Sequence, residues 1–301
     1  MALLIVLVLL ASGKCGRKNA EDSDLLQIAW KHLEVPVNIY IRNLPDLVSE
    51  SSALVLHNDL FWTINDSGGD PVIFGLSKDI GNVVHTVTLE NAENHDWEAL
   101  TTDGNYWYTG DFGNNSGIRT DLCIYKFSGE FLSATGDTSL TADKISFSYE
   151  DQDNFNKSLH RTAYDCEAMI VMNDSIFLFT KDWVNEFTTI YRLPAKPGNY
   201  KAKKIAVLNA RGLITGATYK KSTNQLALLG YKNFVPFVIY FNSFSPYKVN
   251  KGSVYRFNFS DIEMAQTEGI TFGKDHALYL SSEKNRLPGH IFRIDLTILN
   301  L

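Results

Sequence analysis

"WEALTTDGNYWYTGDFG", residues 97–113, alternates apolar and polar positions on both sides of a Gly104-Asn105 turn. A period of two marks an extended strand that is half buried, and a Gly/Asn pair between two such runs marks a hairpin. Four other stretches share its outline: "SSALVLHNDLFWTINDSG" from Ser51, "CEAMIVMNDSIFLFTKD" from Cys166, "ITGATYKKSTNQLALLGY" from Ile214 and "TEGITFGKDHALYLSSEK" from Thr267. Their turns are Asn58-Asp59, Asn173-Asp174, a longer segment over 220–224, and Lys274-Asp275. Most of these residues suit tight hairpins.

An aromatic-rich third strand follows each hairpin: "PVIFGLS", "LCIYKFS", "TTIYRLP", "FVIYFN" and "HIFRIDL". A fourth follows in four cases: "NVVHTVTL", "KISFSYE", "KKIAVLN" and "SVYRFNF". Four strands recurring at roughly 45 to 70 residues describe the blades of a propeller. The expected fold is therefore all-β, a five-bladed β-propeller of four-stranded antiparallel blades. The last repeat stops before its fourth strand, and "EVPVNIYIRNL", residues 34–44, is free to supply it and close the ring. A six-bladed ring, with a degenerate blade inside residues 128–165, and a β-sandwich are the alternatives. Five is favoured because "DKISFSY" is the one convincing strand of that insert. Residues 34–301 then form one propeller domain, preceded by a tether and short helix over 14–33. "SDLLQIAWKHL", 23–33, reads as the amphipathic helix.

With 45% hydrophobic residues and 12% aromatics, the 301-residue chain can bury a large core. Its net charge of -6, without interleaved basic and aromatic residues, argues against a nucleic-acid partner and favours a metal or cationic ligand. "MALLIVLVLLA", residues 1–11, has the length of a signal-peptide core and is too short for a transmembrane span. Residues 1–13 are accordingly a signal-like segment, with a buried N-terminal strand as the alternative. The expected location is exported: secreted, periplasmic or cell-surface. Ser12-Gly13-Lys14-Cys15 resembles a lipoprotein box interrupted by Lys14, so a lipid anchor at Cys15 stays open. Cys123 and Cys166 complete no zinc or disulfide pattern.

Equivalent positions of the five first strands are Ser52, Glu98, Glu167, Thr215 and Glu268. First strands line a propeller's channel, so these side chains converge on the axis. Three carboxylates brought together repel one another and lose hydration, and a cation relieves both costs. An all-oxygen set without His or Cys suits Ca²⁺ over zinc. The plainer reading is a set of polar channel residues bonded to strand ends and water.

The order Ser, Glu, Glu, Thr, Glu resembles that of the five-bladed calcium-dependent apyrases, which implies an axial Ca²⁺. "DWEAL", "LITGATY", "TEGIT" and "LYLSSEK" are similar to secreted bacterial propellers of the SdiA-regulated type. The apyrase likeness fails at the mouth. Apyrases have an acidic pair and Arg-Thr-Gly after the first hairpin, and an Arg pair in the third blade; this chain has Asn65-Asp66-Ser67-Gly68 and Lys181.

Second strands return antiparallel and end beside the ring. Asp66, Asp111, Lys181, Tyr231 and Glu283, one from each repeat, are therefore the candidate ligand-binding or catalytic residues, set against the plainer reading of solvated strand ends. Arg119, Arg161, Arg211 and Arg286, with His95 and His160, lie in loops that can reach the same face. Three functions fit: an exported propeller binding a small-molecule or surface ligand over an axial calcium; a calcium-dependent hydrolase of phosphate or carboxylate esters; and a metal-free interaction scaffold.

Overall fold

The computed structural model describes residues 25–133, 136–249 and 251–299. The signal-like segment, the tether up to residue 24 and Cys15 lie outside the described residues. No helix among the described residues is long and apolar enough to cross a membrane.

The expected helix over 23–33 is not there: its described part is extended. Strands β1 (Leu25–Leu26) and β2 (Lys31–Leu33) pair in parallel with outer strands of two later sheets. Leu26, Ile28 and Trp30 explain the correction. They recur every second residue and all contribute to one core cluster, which an extended chain achieves and a helix would not. Strand β3 (Val37–Ile41) follows.

The rest of the chain winds through successive antiparallel groups. The first is β4 (Val55–His57), β5 (Leu60–Ile64), β6 (Val72–Ser77) and β7 (Val83–Leu89). The second is β8 (Trp97–Thr102), β9 (Tyr106–Asp111), β10 (Cys123–Ser128) and, after an excursion, β12 (Asp143–Tyr149). That excursion contains β11 (Thr138–Leu140), which joins β7 in parallel. Next come β13 (Asp165–Met172), β14 (Ser175–Lys181), β15 (Thr188–Pro194) and β16 (Gly198–Leu208), then β17 (Leu213–Lys220), β18 (Gln225–Lys232), β19 (Val235–Phe241) and β20 (Val254–Asn258). The last group is β21 (Thr267–Phe272), β22 (Ala277–Ser282) and β23 (Ile291–Asp295). Here β3 pairs antiparallel with β23, so the N-terminal strand completes the C-terminal group. By hydrogen bonding the strands form four sheets, because β16 is long enough to pair with β15 on one side and β12 on the other, fusing two groups.

Core packing links each group to the next. Trp62 and Ile64 share a cluster with Trp97 and Trp107; Tyr108 and Ile124 with Met169 and Leu178; Ile170 and Phe179 with Leu228 and Ile239. Leu229 and Tyr240 pack with Leu278 and Leu280, and Tyr279 and Ile291 pack back against Phe61 and Leu76. The first strands touch in the same cyclic order, β4 to β8, β13, β17, β21 and back to β4. This closed circuit is the arrangement of a β-propeller, with the inner strands around one axis.

Candidate functional site

The inner strands carry one repeated irregularity. Between Trp97 and Ala99, Cys166 and Ala168, Ile214 and Gly216, and Thr267 and Gly269, the register shifts at a β-bulge. The residue skipped each time is Glu98, Glu167, Thr215 or Glu268. Ser52 sits in a similar place, between the isolated Ser51–Asn65 bridge and the shifted Val55–Trp62 pair. A bulge frees one side chain from the alternation of its strand and re-aims it. The polar residue that interrupts each buried strand is thus the one the ladder does not pair.

The five are not equivalent in what they touch. Ser52 Oγ donates to Trp97 O at 2.8 Å and Thr215 Oγ1 donates to Thr267 O at 2.9 Å, each stitching its group to the next. Both hydroxyl oxygens keep lone pairs. Glu98, Glu167 and Glu268 are buried, and all three carboxyls are pushed well above the usual carboxylate range. Burial is the largest cause for each; mutual repulsion adds to it, and the Lys181 ammonium opposes it at Glu167 and Glu268. A void of about 10 Å³, room for one water or one ion, touches Ser52, Glu98, Glu167 and Glu268.

Above the ring lies a cavity of about 260 Å³. Asp66 and the three ring glutamates form its acidic part; Lys181, Tyr231, Trp183 and His160 line it too. Lys181 Nζ lies 2.5 Å from Glu167 Oε1, 4.4 Å from the Trp183 ring centre and 5.3 Å from that of Tyr231. Burial by itself would lower the Lys181 pKa, but Glu167 and the surrounding acids raise it well above the lysine range, so it stays charged. His160 stacks on Trp183 at 4.3 Å.

Of the five mouth candidates, Asp66, Lys181 and Tyr231 line this cavity. Glu283 is not in its lining; it is buried near Glu268, its carboxyl pushed up to about 7 first by burial and then by neighbouring acids. Asp111 is elsewhere. Its oxygens meet Arg119 Nη2 at 2.9 Å, His95 Nδ1 at 3.2 Å and the Asp96 backbone N–H at 3.1 Å, a fully engaged buried carboxylate that holds loops together. Arg119 and His95 are used in the same cluster.

Asp96, two residues before Glu98 and outside the five equivalent positions, is a further acid of the site. Ligand atoms of Asp66, Asp96 and Glu98 lie within 4.8 Å of one another. Its carboxyl is pushed up to about 7 by burial, then by Asp66 and Asp165. Asp165 is buried too, accepting from Asn114 N–H and Trp183 Nε1 at 2.7 Å each. The sequence does carry a signal: Asp96-Trp97-Glu98, Asp165-Cys166-Glu167 and Gln266-Thr267-Glu268 repeat a polar side chain two residues before the ring glutamate.

Oxygens Asp66 Oδ1, Glu167 Oε2 and Glu268 Oε2 are buried without a hydrogen-bond partner. Leaving one buried acceptor unmade costs about 1–3 kcal/mol, more for a charged group. Gathered at one place, such oxygens fit an oxygen-seeking cation.

No family model matches this chain, and no curated protein does. Among solved structures it is similar to a glucose dehydrogenase, with 9% identity over 86% of this chain and 99% of that one, at a TM-score of 0.49. It is similar also to the PQQ-bound form of aldose sugar dehydrogenase from Streptomyces coelicolor, with 8% identity, 87% and 98% coverage and a TM-score of 0.48. A third likeness is to the nidogen/laminin complex, with 13% identity, 83% and 78% coverage and a TM-score of 0.46. These are too distant to speak for the chemistry of this chain. The β-propeller class rests on its own cyclic strand order, and the site defines a propeller with a buried acidic ring on the axis.

Proposed function

We propose that this chain is an exported five-bladed β-propeller that holds one Ca²⁺ on its axis and binds a small-molecule or surface ligand at the mouth above it. Each four-stranded antiparallel group counts as one blade, and the shared core clusters between neighbouring groups support five. The observation that carries calcium is the trio of buried, unpartnered carboxylate oxygens on Asp66, Glu167 and Glu268, residues that line one cavity, with Glu167 and Glu268 also bordering the ion-sized void beneath it. Glu98, Glu167 and Glu268 would supply charge, Ser52 and Thr215 neutral oxygens, and Asp66 with Asp96 further carboxylates. This oxygen-only set suits a hard ion that accepts six to eight ligands. The ion would offset repulsion among the glutamates and, binding the folded state alone, stabilise the ring. The resemblance of the ring to calcium-dependent apyrases agrees with this reading.

Lys181, Tyr231 and Asp66 are then the residues that would meet a mouth ligand. Lys181 next to a metal-ligating glutamate also keeps a second reading open, hydrolysis of phosphate or carboxylate esters with water polarised by the ion and charge stabilised by the ammonium. One set of measurements tests both. Thermal unfolding is followed in EGTA and after Ca²⁺ or Mg²⁺ is returned, and the calcium-loaded protein is offered a panel of phosphate and aryl esters. We expect calcium, and not magnesium, to raise the melting temperature by several degrees. An unchanged melting temperature in a sample verified metal-free would overturn the calcium site and leave a metal-free scaffold; no turnover across the panel would retire the hydrolase. Export, with or without a lipid on Cys15, is tested by the mass of the mature chain: an unprocessed N-terminus rejects it.

A further inference from the structure

A second pocket lies away from the axis, where the N-terminal segment crosses the outer edge of the β17–β20 group. It measures about 480 Å³ and is lined by Trp30, His32, Arg211, Lys232, Val235, Arg256 and Asn258. No carboxylate lines it among the described residues, in a chain whose net charge is -6. Arg256 is 5% exposed and forms no ion pair with any described residue. Its Nε donates to Asn258 Oδ1 at 3.1 Å, Nη1 to Ala210 O at 2.5 Å and Nη2 to Arg211 O at 3.3 Å, all neutral acceptors. A guanidinium has five N–H donors, so two remain.

A second guanidinium, that of Arg211, lies 4.9 Å from the Trp30 ring centre, and that of Arg256 lies 5.1 Å from the same ring and 3.7 Å from Phe237. The acid at the edge, Glu186, is committed to Lys232 at 2.5 Å. Burying an arginine without a counter-charge is costly, and a second arginine on the same ring adds repulsion. Aromatic faces offset part of that cost, since cation–π contacts contribute about 0.5–2 kcal/mol. With the more distant Glu186 carboxylate, which acts on Arg256 without pairing to it, they offset only part of the positive charge.

We infer that this pocket is a binding site for a small oxyanion, a phosphoryl or carboxylate group held between the Arg211 and Arg256 guanidinium groups, with Lys232 and His32 adding donors. Planar guanidinium groups match such oxyanions bidentately, which a scatter of surface lysines does not. The site is independent of the axial ring: its charge is opposite and its residues come from other elements.

The test is calorimetric titration of the full chain with inorganic phosphate and, in a separate arm, acetate, at fixed ionic strength and with tryptophan fluorescence recorded in parallel. Saturable binding of either anion, with a fluorescence change that Trp30→Phe removes, is the expected result; the arm that saturates identifies the group. Arg211→Asn, whose new residue tolerates the left-handed backbone found there at φ 51°, should weaken binding about tenfold. Lys274→Ala, which deletes one charge elsewhere on the surface, should leave it unchanged. No saturable binding of either anion by the native chain overturns the inference. So does equal weakening by Arg211→Asn and Lys274→Ala, which would mark general screening.

Discussion

Glu98 interrupts a strand otherwise built of Trp97, Ala99 and Leu100, and its burial gives it an uncommon protonation behaviour. The carboxyls of Glu98, Glu167 and Glu268 are pushed up chiefly by burial, and those of Asp96 and Glu283 reach about 7. A carboxyl whose folded pKa exceeds its unfolded value binds more protons folded than unfolded between the two. Stability therefore falls as pH rises through that window. In protein freed of metal beforehand the melting temperature should decline from about pH 4.5 to about pH 7, through the window set by Asp96 and Glu283. If the ring holds calcium as proposed, saturating calcium, binding the ionised form, should flatten or reverse that slope. A metal-free protein that gains stability over this interval would show that the ring carboxylates are not protonated as described. Exposed carboxyls such as Asp121 and Asp275, held low by partners Arg119 and Arg293, act in the opposite sense and only at more acid pH.

At the scale of elements, hairpin turns are local and were legible. Asn58-Asp59 and Asn173-Asp174 all adopt positive φ, between 49° and 59°, as two-residue turns with the right twist require. The bulges were not legible, because a skipped residue looks the same in sequence as one that continues the alternation. Their neighbours show how tightly the inner strands approach. A Cβ on Gly216 would stand 2.2 Å from the backbone oxygen of Glu268, and atoms of the backbone cannot swing aside. Gly216→Ala should therefore cost about 1–3 kcal/mol in urea unfolding, with the loss arising from forced separation of β17 and β21. Wild-type stability in that variant would mean the two strands separate freely. The segment before the ring misleads for a different reason: eleven residues containing Leu26, Ile28 and Trp30 are too few to separate a period of two from a helical one, until a sheet edge receives them.

For the whole molecule, closure is the decisive feature. β3 lies more than two hundred residues from β23 in sequence yet completes its sheet, and Ile41 and Leu44 enter the cluster that holds Tyr279 against Phe61. Deleting residues 25–44 would expose the β23 edge and remove those contacts. The truncated chain should lose cooperative thermal unfolding or associate through the bare edge, as size-exclusion chromatography and near-ultraviolet circular dichroism would report. A monomer that melts with the native midpoint would mean closure adds nothing.

By itself, the sequence determined the repeating hairpins, the order of the strands and the polar position in each first strand, since alternation and turn chemistry act over a few residues. Only the tertiary structure decided which of those polar residues share a space. Glu98, Glu167 and Glu268 meet around one void because bulges turn them inward and a closed ring gathers them. Asp111, equally prominent in the repeat, is drawn off by Arg119 and His95, and Asp96 takes a place beside Glu98 instead. Burial and charge are properties of that shared space, and no stretch of chain contains it.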